Sequence, residues 1–362
     1  MNILFISKLS GNLWAGPNNS VPSQVLAQSR IDNVMWVNLN HVCLPGWRRE
    51  EYKFINYDDI NKCTLNNLPS PFNKPDFIIC EEVYCYLPFD NMLNSIMKSG
   101  IPYSIVPRST LTVKAQQQRK IKKTVANLIF YNRFIRKANS LIYLTNFEKE
   151  ESERRIKHKS WIIPNGTFLP ECDTHVFNKD GIRIVYIGRL DIYQKGLDIL
   201  LEAVIATRDL LRKANVSIEL FGPNRDATIE KLSPIIKKNN IEDIVEFKPA
   251  VYGTEKDDIL NTSDVFIMTS RFEGMPMGLI EALSHGMPCI VTEGTYMMEE
   301  IVSFGAGWAA GSTADSVRNS LIKLVSELSD LSQKSHNARI LASHYSWSNL
   351  AKILHNHIKQ VI

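Results

Sequence analysis

The sequence predicts an α/β chain of two Rossmann-like, doubly wound domains facing across a cleft, and three observations carry that reading. Its 362 residues exceed the size at which a single hydrophobic core stops growing. Short apolar runs alternate with helical patterns from end to end. A stretch rich in turn formers and poor in periodicity, "IPNGTFLPECDTHVFNKDG" from Ile163 to Gly181, separates the runs into two sets. The expected domains are residues 1–165 and 175–344, with 345–362 a C-terminal helix able to pack back on the first.

In the first set, "NILFIS", "VMWVNL", "FIIC", "YSIVP", "SLIYLT" and "SWIIP" read as strands. In the second, the strands are "IRIVYIG", "SIELFG", "IVEFK", "DVFIMTS", "PCIVT" and "AGWAA". The last helix, "WSNLAKILHNHIKQVI", follows an "HYSWS" segment in which Ser346 or Ser348 is a candidate cap. With 44% hydrophobic and 22% charged residues, no low-complexity tract and no internal repeat, the composition is that of a folded globular protein. The opening "MNILFISKLSG" reads as a first strand rather than a signal peptide, and no stretch approaches the ~20 apolar residues that span a bilayer. Six cysteines (Cys43, Cys63, Cys80, Cys85, Cys172 and Cys289) form no CxxC pair and no metal-ligand spacing, which suits a reducing cytoplasm.

The net charge of +4 conceals an asymmetry. Met1 to Pro170 carries 22 Lys and Arg against 13 Asp and Glu, a balance of +9, and the remainder 20 against 25, a balance of −5. The first half is therefore the one suited to an anionic partner. Much of the excess lies between Lys114 and Ser140, where Ile121, Val125, Leu128, Ile129 and Ile135 recur at helical spacing beside Arg119, Lys120, Lys122, Lys123, Arg133, Arg136 and Lys137. Such a basic amphipathic helix either packs its apolar face on its own domain or rests on anionic lipid headgroups. No aromatic-studded basic groove accompanies it, which argues against nucleic acid.

Doubly wound sheets bind ligands at the carboxyl ends of their strands, so chemistry is expected in the loops that follow strands. In "YIGRLDIYQKGLDILLEAV" a strand ends at Gly188, and Arg189 and Lys195 precede a helix N-terminus. Cations at such a terminus make a phosphate site, or the loop is solvated and the two charges incidental. In "TSRFEGMPMGLIEALSHGMP" Glu273 sits in a loop and Glu281 in the following helix, with Gly274, Pro276 and Gly278 between them. Carboxylates accept from hydroxyl pairs, so each glutamate is a candidate sugar or ribose ligand, or an ordinary polar-loop or helix-face residue. In "LWAGPNNSVPSQVLAQ" a Gly/Pro/Asn/Ser loop leads into a helix near Val21 or Pro22, and its amides, with Gly16, Asn18 and Asn19, either face the cleft or form a plain turn. Neither a Walker loop nor a GxGxxG follows a strand.

Taken together, "GRLDIYQKGLDIL" and "TSRFEGMPMGLIEALSHGMPCIVTEG" resemble the family-4 (group-1) retaining glycosyltransferases of GT-B fold, of the bacterial surface-polysaccharide type. The family's Glu-x7-Glu signature falls on Glu273 and Glu281 and its diphosphate-binding pair on Arg189 and Lys195. The resemblance implies that Glu273, Arg189 and Lys195 are catalytic. It implies that Glu281 holds the donor ribose, and that Gly274, Met275, Pro276, Met277, Gly278 and Leu279 bring backbone to the sugar and phosphates. Gly222, with Val251 and Tyr252, would border the base, and Gly16 the donor. The first half matches more loosely, through "SIVPRSTL", "KIKKTVANLIF", "TNFEKEE" and "IPNGT". Arg108 stands where many relatives have histidine, and Pro249 where they usually have glycine.

The implied reaction is transfer of a hexose or N-acetylhexosamine from a nucleotide-diphosphate sugar, UDP or GDP, with retention by front-face attack. Positive side chains and helix amides would stabilise the departing diphosphate, and no cofactor or metal is called for. The implied acceptor is a polyprenyl-diphosphate-linked glycan of O-antigen, capsule or exopolysaccharide synthesis. Arg108, Asn18 and Asn19 would lie on the acceptor side, with the protein peripheral on the cytoplasmic face of the inner membrane. A nucleotide-sugar epimerase of similar fold and a non-catalytic sugar-binding protein are the competing readings.

Overall fold

The computed structural model describes the chain apart from residues 13–15, 60–62, 88–89, 118–119, 171–174 and 179, and apart from the side chains of Lys114 and Lys120. Part of the third loop (13–15), Arg119 and the Lys120 side chain in the basic segment, and Cys172 therefore lie outside the described residues. The chain forms two compact units, Met1–Gly166 with Trp347–Ile362, and Thr167–Ser346.

The first unit holds a seven-stranded sheet of β1 (Asn2–Ser7), β2 (Asn33–Asn38), β3 (Lys53–Asn56), β4 (Phe77–Glu81), β5 (Tyr103–Val106), β6 (Ser140–Tyr143) and β7 (Ser160–Ile162). Its order is β3-β2-β1-β4-β5-β6-β7, with every pairing parallel. Parallel strands are covered on both faces, which is why they read as unbroken apolar runs. Along β1, Leu4 and Ile6 enter one core while Ile3 and Phe5 enter the other. Each fully buried side chain of this kind contributes roughly 1.5–3 kcal/mol. Strand β3 was not expected: it is a four-residue edge strand in which only Phe54 brings a large buried apolar side chain, packed edge-on against Trp36.

The helices of this unit are α1 (Pro17–Ser29), α2 (Asn91–Ser99), α3 (Val113–Gln117), α4 (Lys120–Ala126), α5 (Asn132–Lys137) and α6 (Asn146–Glu153). Helix α1 begins at Pro17, earlier than the expected Val21 or Pro22, because proline suits a first turn whose amides are orphaned anyway. The basic segment is not one helix. A π-helical turn, Asn127–Tyr131, joins α4 to α5 and shifts the phase of the helical face. Of the two expected arrangements, packing on its own domain holds for only part of that apolar face. Phe130, Tyr131, Phe134 and Ile135 are buried, while Ile121, Val125, Leu128 and Ile129 are 81%, 51%, 75% and 56% exposed. The larger aromatic side chains, with Ile135, occupy the core.

The second unit holds β8 (Ile182–Ile187), β9 (Val216–Phe221), β10 (Val245–Lys248), β11 (Val265–Met268), β12 (Cys289–Thr292) and β13 (Gly307–Ala310). They form a parallel sheet in the order β10-β9-β8-β11-β12-β13. Its helices are α7 (Leu197–Lys213), α8 (Thr228–Lys238), α9 (Gly253–Thr262), α10 (Met277–Ser284), α11 (Met298–Phe304), α12 (Ala314–Ser326) and α13 (Leu331–His344). Ile182, Ile184 and Tyr186 of β8 enter one core, and Val185 the other. Strand order reverses between β8 and β11: the chain leaves β8 toward β9 and returns to β11 on the other side. The loops after these two strands diverge and leave a crevice at the topological switch point.

The final helix, α14 (Trp347–Lys359), belongs to the first unit. Trp347, Leu350, Ala351, Leu354 and Ile358 fall at three- and four-residue spacing and join the core that holds Val21 and Val25 of α1. His357 stacks on Trp161 at 4.7 Å, and His355 Nδ1 lies 2.9 Å from Asp32. Ser346 stands immediately before α14, at the cap position, and Ser348 lies within it. Among the described residues no helix is long and apolar enough to cross a membrane.

Candidate active site

The loop after β8 runs from Gly188 to Gly196, which caps α7 with φ of 63°. A Cβ on Gly196 would lie 2.1 Å from the Thr269 carbonyl oxygen, so glycine permits both the left-handed turn and the approach of the second loop. That second loop, following β11, is tied to the first by several bonds. Thr269 Oγ1 is 3.1 Å from the carbonyls of both Lys195 and Gly196. The Arg271 amide donates to the Gln194 carbonyl at 2.9 Å. The Arg271 guanidinium forks onto Asp198, with both bonds 2.8 Å. Asp198 sits in the first turn of α7, where the helix dipole favours a carboxylate. Bidentate pairs fix orientation as well as distance, so the two loops act as one rigid piece.

At the centre of that piece, Lys195 Nζ lies 2.6 Å from Glu273 Oε1, with side chains only 12% and 6% exposed. Ser270 Oγ donates to the same oxygen. Beneath them Tyr186 donates its hydroxyl to the Arg189 carbonyl at 2.8 Å. Burial pushes that phenol well above the ordinary tyrosine range, and the Glu273 charge acts in the same direction, so it stays a neutral donor. Arg189 is exposed and donates to Gln194 Oε1 at 3.0 Å, while the Gln194 amide donates to Asp191 at 2.7 Å.

Glu281 lies half-buried on α10, 3.0 Å from Lys256 Nζ of α9. Both line an open cavity of about 430 Å³, within the range of small-ligand pockets. Gly274 is exposed with nothing near its Cβ position, Met275 and Met277 are half-buried, and Pro276 and Leu279 are buried. A Cβ on Gly278 would come 2.9 Å from the Ile187 carbonyl, which seats α10 against the end of β8. One on Gly222 would come 1.7 Å from the Gly188 carbonyl. Val251 packs into the core beside Phe221, whereas Tyr252 is 54% exposed.

The residues expected on the acceptor side fall in the first unit. Arg108, expected to face an acceptor, turns inward: its side chain is 5% exposed and its Nε lies 2.6 Å from Glu81, which is fully buried. Burial pushes the Glu81 carboxyl above its ordinary range against the pull of Arg108, and a buried carboxylate without that cation would be costly. Asn18 is also buried, accepting from the Gly11 amide at 3.1 Å and donating to the Asn12 carbonyl at 2.8 Å. It folds its own loop. Gly16 and Asn19 are exposed at the start of α1.

Sequence reasoning did not find Tyr186, Gln194, Lys256, or the Arg271–Asp198 clasp as parts of this site. Ser270 and Arg271 stand inside the glutamate-bearing stretch, the one signal that marked them. Among the described residues no group of three or more His, Cys, Asp and Glu is arranged to hold a metal ion.

The profile of the family described as glycosyl transferases group 1 matches residues 172–340. Mannosylfructose-phosphate synthase of Agrobacterium fabrum is 29% identical over 149 residues, 38% of this chain and 33% of that protein. UDP-Gal:α-D-GlcNAc-diphosphoundecaprenol α-1,3-galactosyltransferase of Escherichia coli is 54% identical over 35 residues, 10% of this chain and 9% of its own. The chain thus spans a third or less of the length of these curated relatives. Among solved structures, Anabaena Alr3699/HepE in complex with UDP matches 99% of this chain and 100% of its own, with a TM-score of 0.70 at 14% identity, a likeness of fold. The two parallel-sheet units are those of a GT-B fold, and residues 172–340 match the group 1 glycosyl transferases.

Proposed function

We propose that this protein is a retaining hexosyltransferase that moves a hexose or N-acetylhexosamine from a nucleotide-diphosphate sugar to a lipid-linked glycan in surface-polysaccharide assembly. The observation that carries the reading is the Lys195–Glu273 pair, held by two mutually bonded loops at the switch point of the second unit. In this reading residues 175–344 hold the donor and residues 1–165 meet the acceptor. Lys195 leaves Glu273 for the donor diphosphate, joined by Arg189 and the amides at the start of α7. Charge developing on the leaving diphosphate then meets fixed positive groups, which supply what a divalent cation would otherwise supply.

Released from Lys195, Glu273 accepts from hydroxyls of the transferred sugar, with Gly274 and Met275 beside it. Glu281 accepts from the ribose, and the exposed ring of Tyr252 offers a face to the base. Met277 and Gly278 at the start of α10 and Gly222 at the end of β9 shape the same crevice. Asn19 lies on the acceptor side, and Gly16, in the same unit, borders the donor. Retention follows from front-face attack, with the departing phosphate taking the acceptor proton. UDP in the Anabaena structure supports a UDP donor, and the name of the Escherichia coli relative, with its diphosphoundecaprenol, supports a lipid-linked acceptor.

The basic segment supports location at the cytoplasmic membrane face. Ile121, Val125, Leu128 and Ile129 are exposed beside Lys122, Lys123 and Arg133, apolar side chains for the acyl boundary and cations for anionic headgroups. A thermal-shift panel of UDP-, GDP-, dTDP- and ADP-sugars tests the donor reading. The UDP series should raise Tm by several degrees at about 100 times Kd, where binding adds roughly 2.7 kcal/mol. A flat panel would sink it.

A further inference from the structure

The π-helical turn opens a feature that the transfer reading leaves unused. A cavity of about 320 Å³ lies in the first unit, lined by Gln116, Gln117, Asn127, Leu128, Asn132 and Arg155 among others. Among the described residues no acidic side chain lines it. The surrounding sequence is strongly one-signed: between Asp90 and Glu148 there is no Asp or Glu and there are ten Lys and Arg. Arg155 Nη2 donates to Asn132 Oδ1 at 3.2 Å, while Nη1 is buried and has no partner among the described residues. A guanidinium half-spent on an amide has donor capacity for an anion. Gln116, Asn127 and the Tyr84 hydroxyl bond one another at 2.8 to 3.4 Å, which makes a fixed amide wall rather than a mobile one.

Leu128 decides where the ligand comes from. It lines the cavity and is 75% exposed, within the same apolar stripe as Ile121, Val125 and Ile129. A molecule in the cavity therefore has its other end beside the surface assigned to lipid. We propose that this cavity binds the glycosyl-phosphate head of a membrane-borne acceptor, with Arg155 on the phosphate and the amide side chains on sugar hydroxyls. The inference rests on the transferase reading and gives its acceptor a seat. A neutral headgroup would leave Arg155 unanswered, and a bare phosphate would leave the amides without hydroxyls.

The test uses the full chain and geranyl-diphospho-N-acetylglucosamine as a short, soluble probe, measured by calorimetry. Wild type should bind it, and Arg155→Gln should weaken binding about tenfold or more, the effect of losing one charge-assisted contact. Inorganic diphosphate should bind less tightly than the probe. Ile121→Ser with Val125→Ser should reduce flotation on vesicles of equal parts phosphatidylglycerol and phosphatidylcholine. Equal probe affinity in Arg155→Gln and wild type would overturn the proposal, as would inorganic diphosphate binding as tightly as the probe. UDP should stabilise Arg155→Gln as it does wild type, which shows that the variant is folded. A wild-type chain that UDP fails to stabilise would instead break the transferase reading, a separate result.

Discussion

Lys195→Ala should lower the rate of nucleoside-diphosphate release by a factor on the order of 10²–10³, the scale on which losing one preorganised stabiliser of developing charge slows an enzyme. Its loss should appear in kcat more than in donor KM, because the charge on the leaving diphosphate grows toward the transition state. The same change should also destabilise the fold, since it strands Glu273, whose side chain is 6% exposed, with Ser270 as its remaining partner. Breaking such a buried pair costs roughly 3–5 kcal/mol. The two effects separate in the double variant Lys195→Met with Glu273→Gln, which removes both charges together. Urea denaturation should show most of the stability restored, while the rate stays low. Recovery of turnover in the double variant would mean that the pair is structural and not part of the chemistry.

Gly196→Ala should disable the site by a different route. The added methyl group meets the Thr269 carbonyl oxygen at 2.1 Å, at a φ of 63° that other residues rarely adopt. Left-handed strain costs roughly 1–2 kcal/mol and overpacking roughly 1–3 kcal/mol. To relieve the clash the loops must part, which stretches the Thr269 bonds and moves Lys195 off Glu273. Thermal unfolding should therefore begin several degrees earlier, and stabilisation by UDP should be lost. Gly274→Ala is the contrast: nothing lies within 4 Å of its Cβ position. Its Tm should stay within the small range of ordinary surface substitutions, while donor affinity falls if the sugar is seated beside Gly274 as proposed. If both variants unfold alike, the loops are not the rigid piece described above.

The doubly wound fold is legible in the sequence because buried parallel strands leave continuous apolar runs such as Val265 to Met268, which a half-exposed strand would not. Strand β3 escapes that logic, since "KFIN" at a sheet edge buries little and alternates too briefly to register. Lys195 and Glu273 could be picked out individually by charge, loop position and resemblance. Their bond to each other could not, because it joins residues 78 positions apart through a crossover that only the sheet order defines. Arg108 shows the same blindness from the other side: a cation in a loop looks available until Glu81, on a neighbouring strand, is seen to claim it. The basic segment misled for a local reason. A constant helical period does not hold across a π turn, which turns Phe130, Tyr131, Phe134 and Ile135 inward and leaves Ile121, Val125, Leu128 and Ile129 exposed.

The central claim is that the Lys195 crevice serves sugar transfer to an acceptor. It is tested most directly by following UDP-hexose by ³¹P and ¹H NMR with the protein, in the presence and absence of geranyl-diphospho-N-acetylglucosamine. The account predicts that UDP appears only when the acceptor is present, and that the product keeps the anomeric configuration of the donor. Conversion of the sugar nucleotide to an epimer without any acceptor, or a product with inverted configuration, would contradict it.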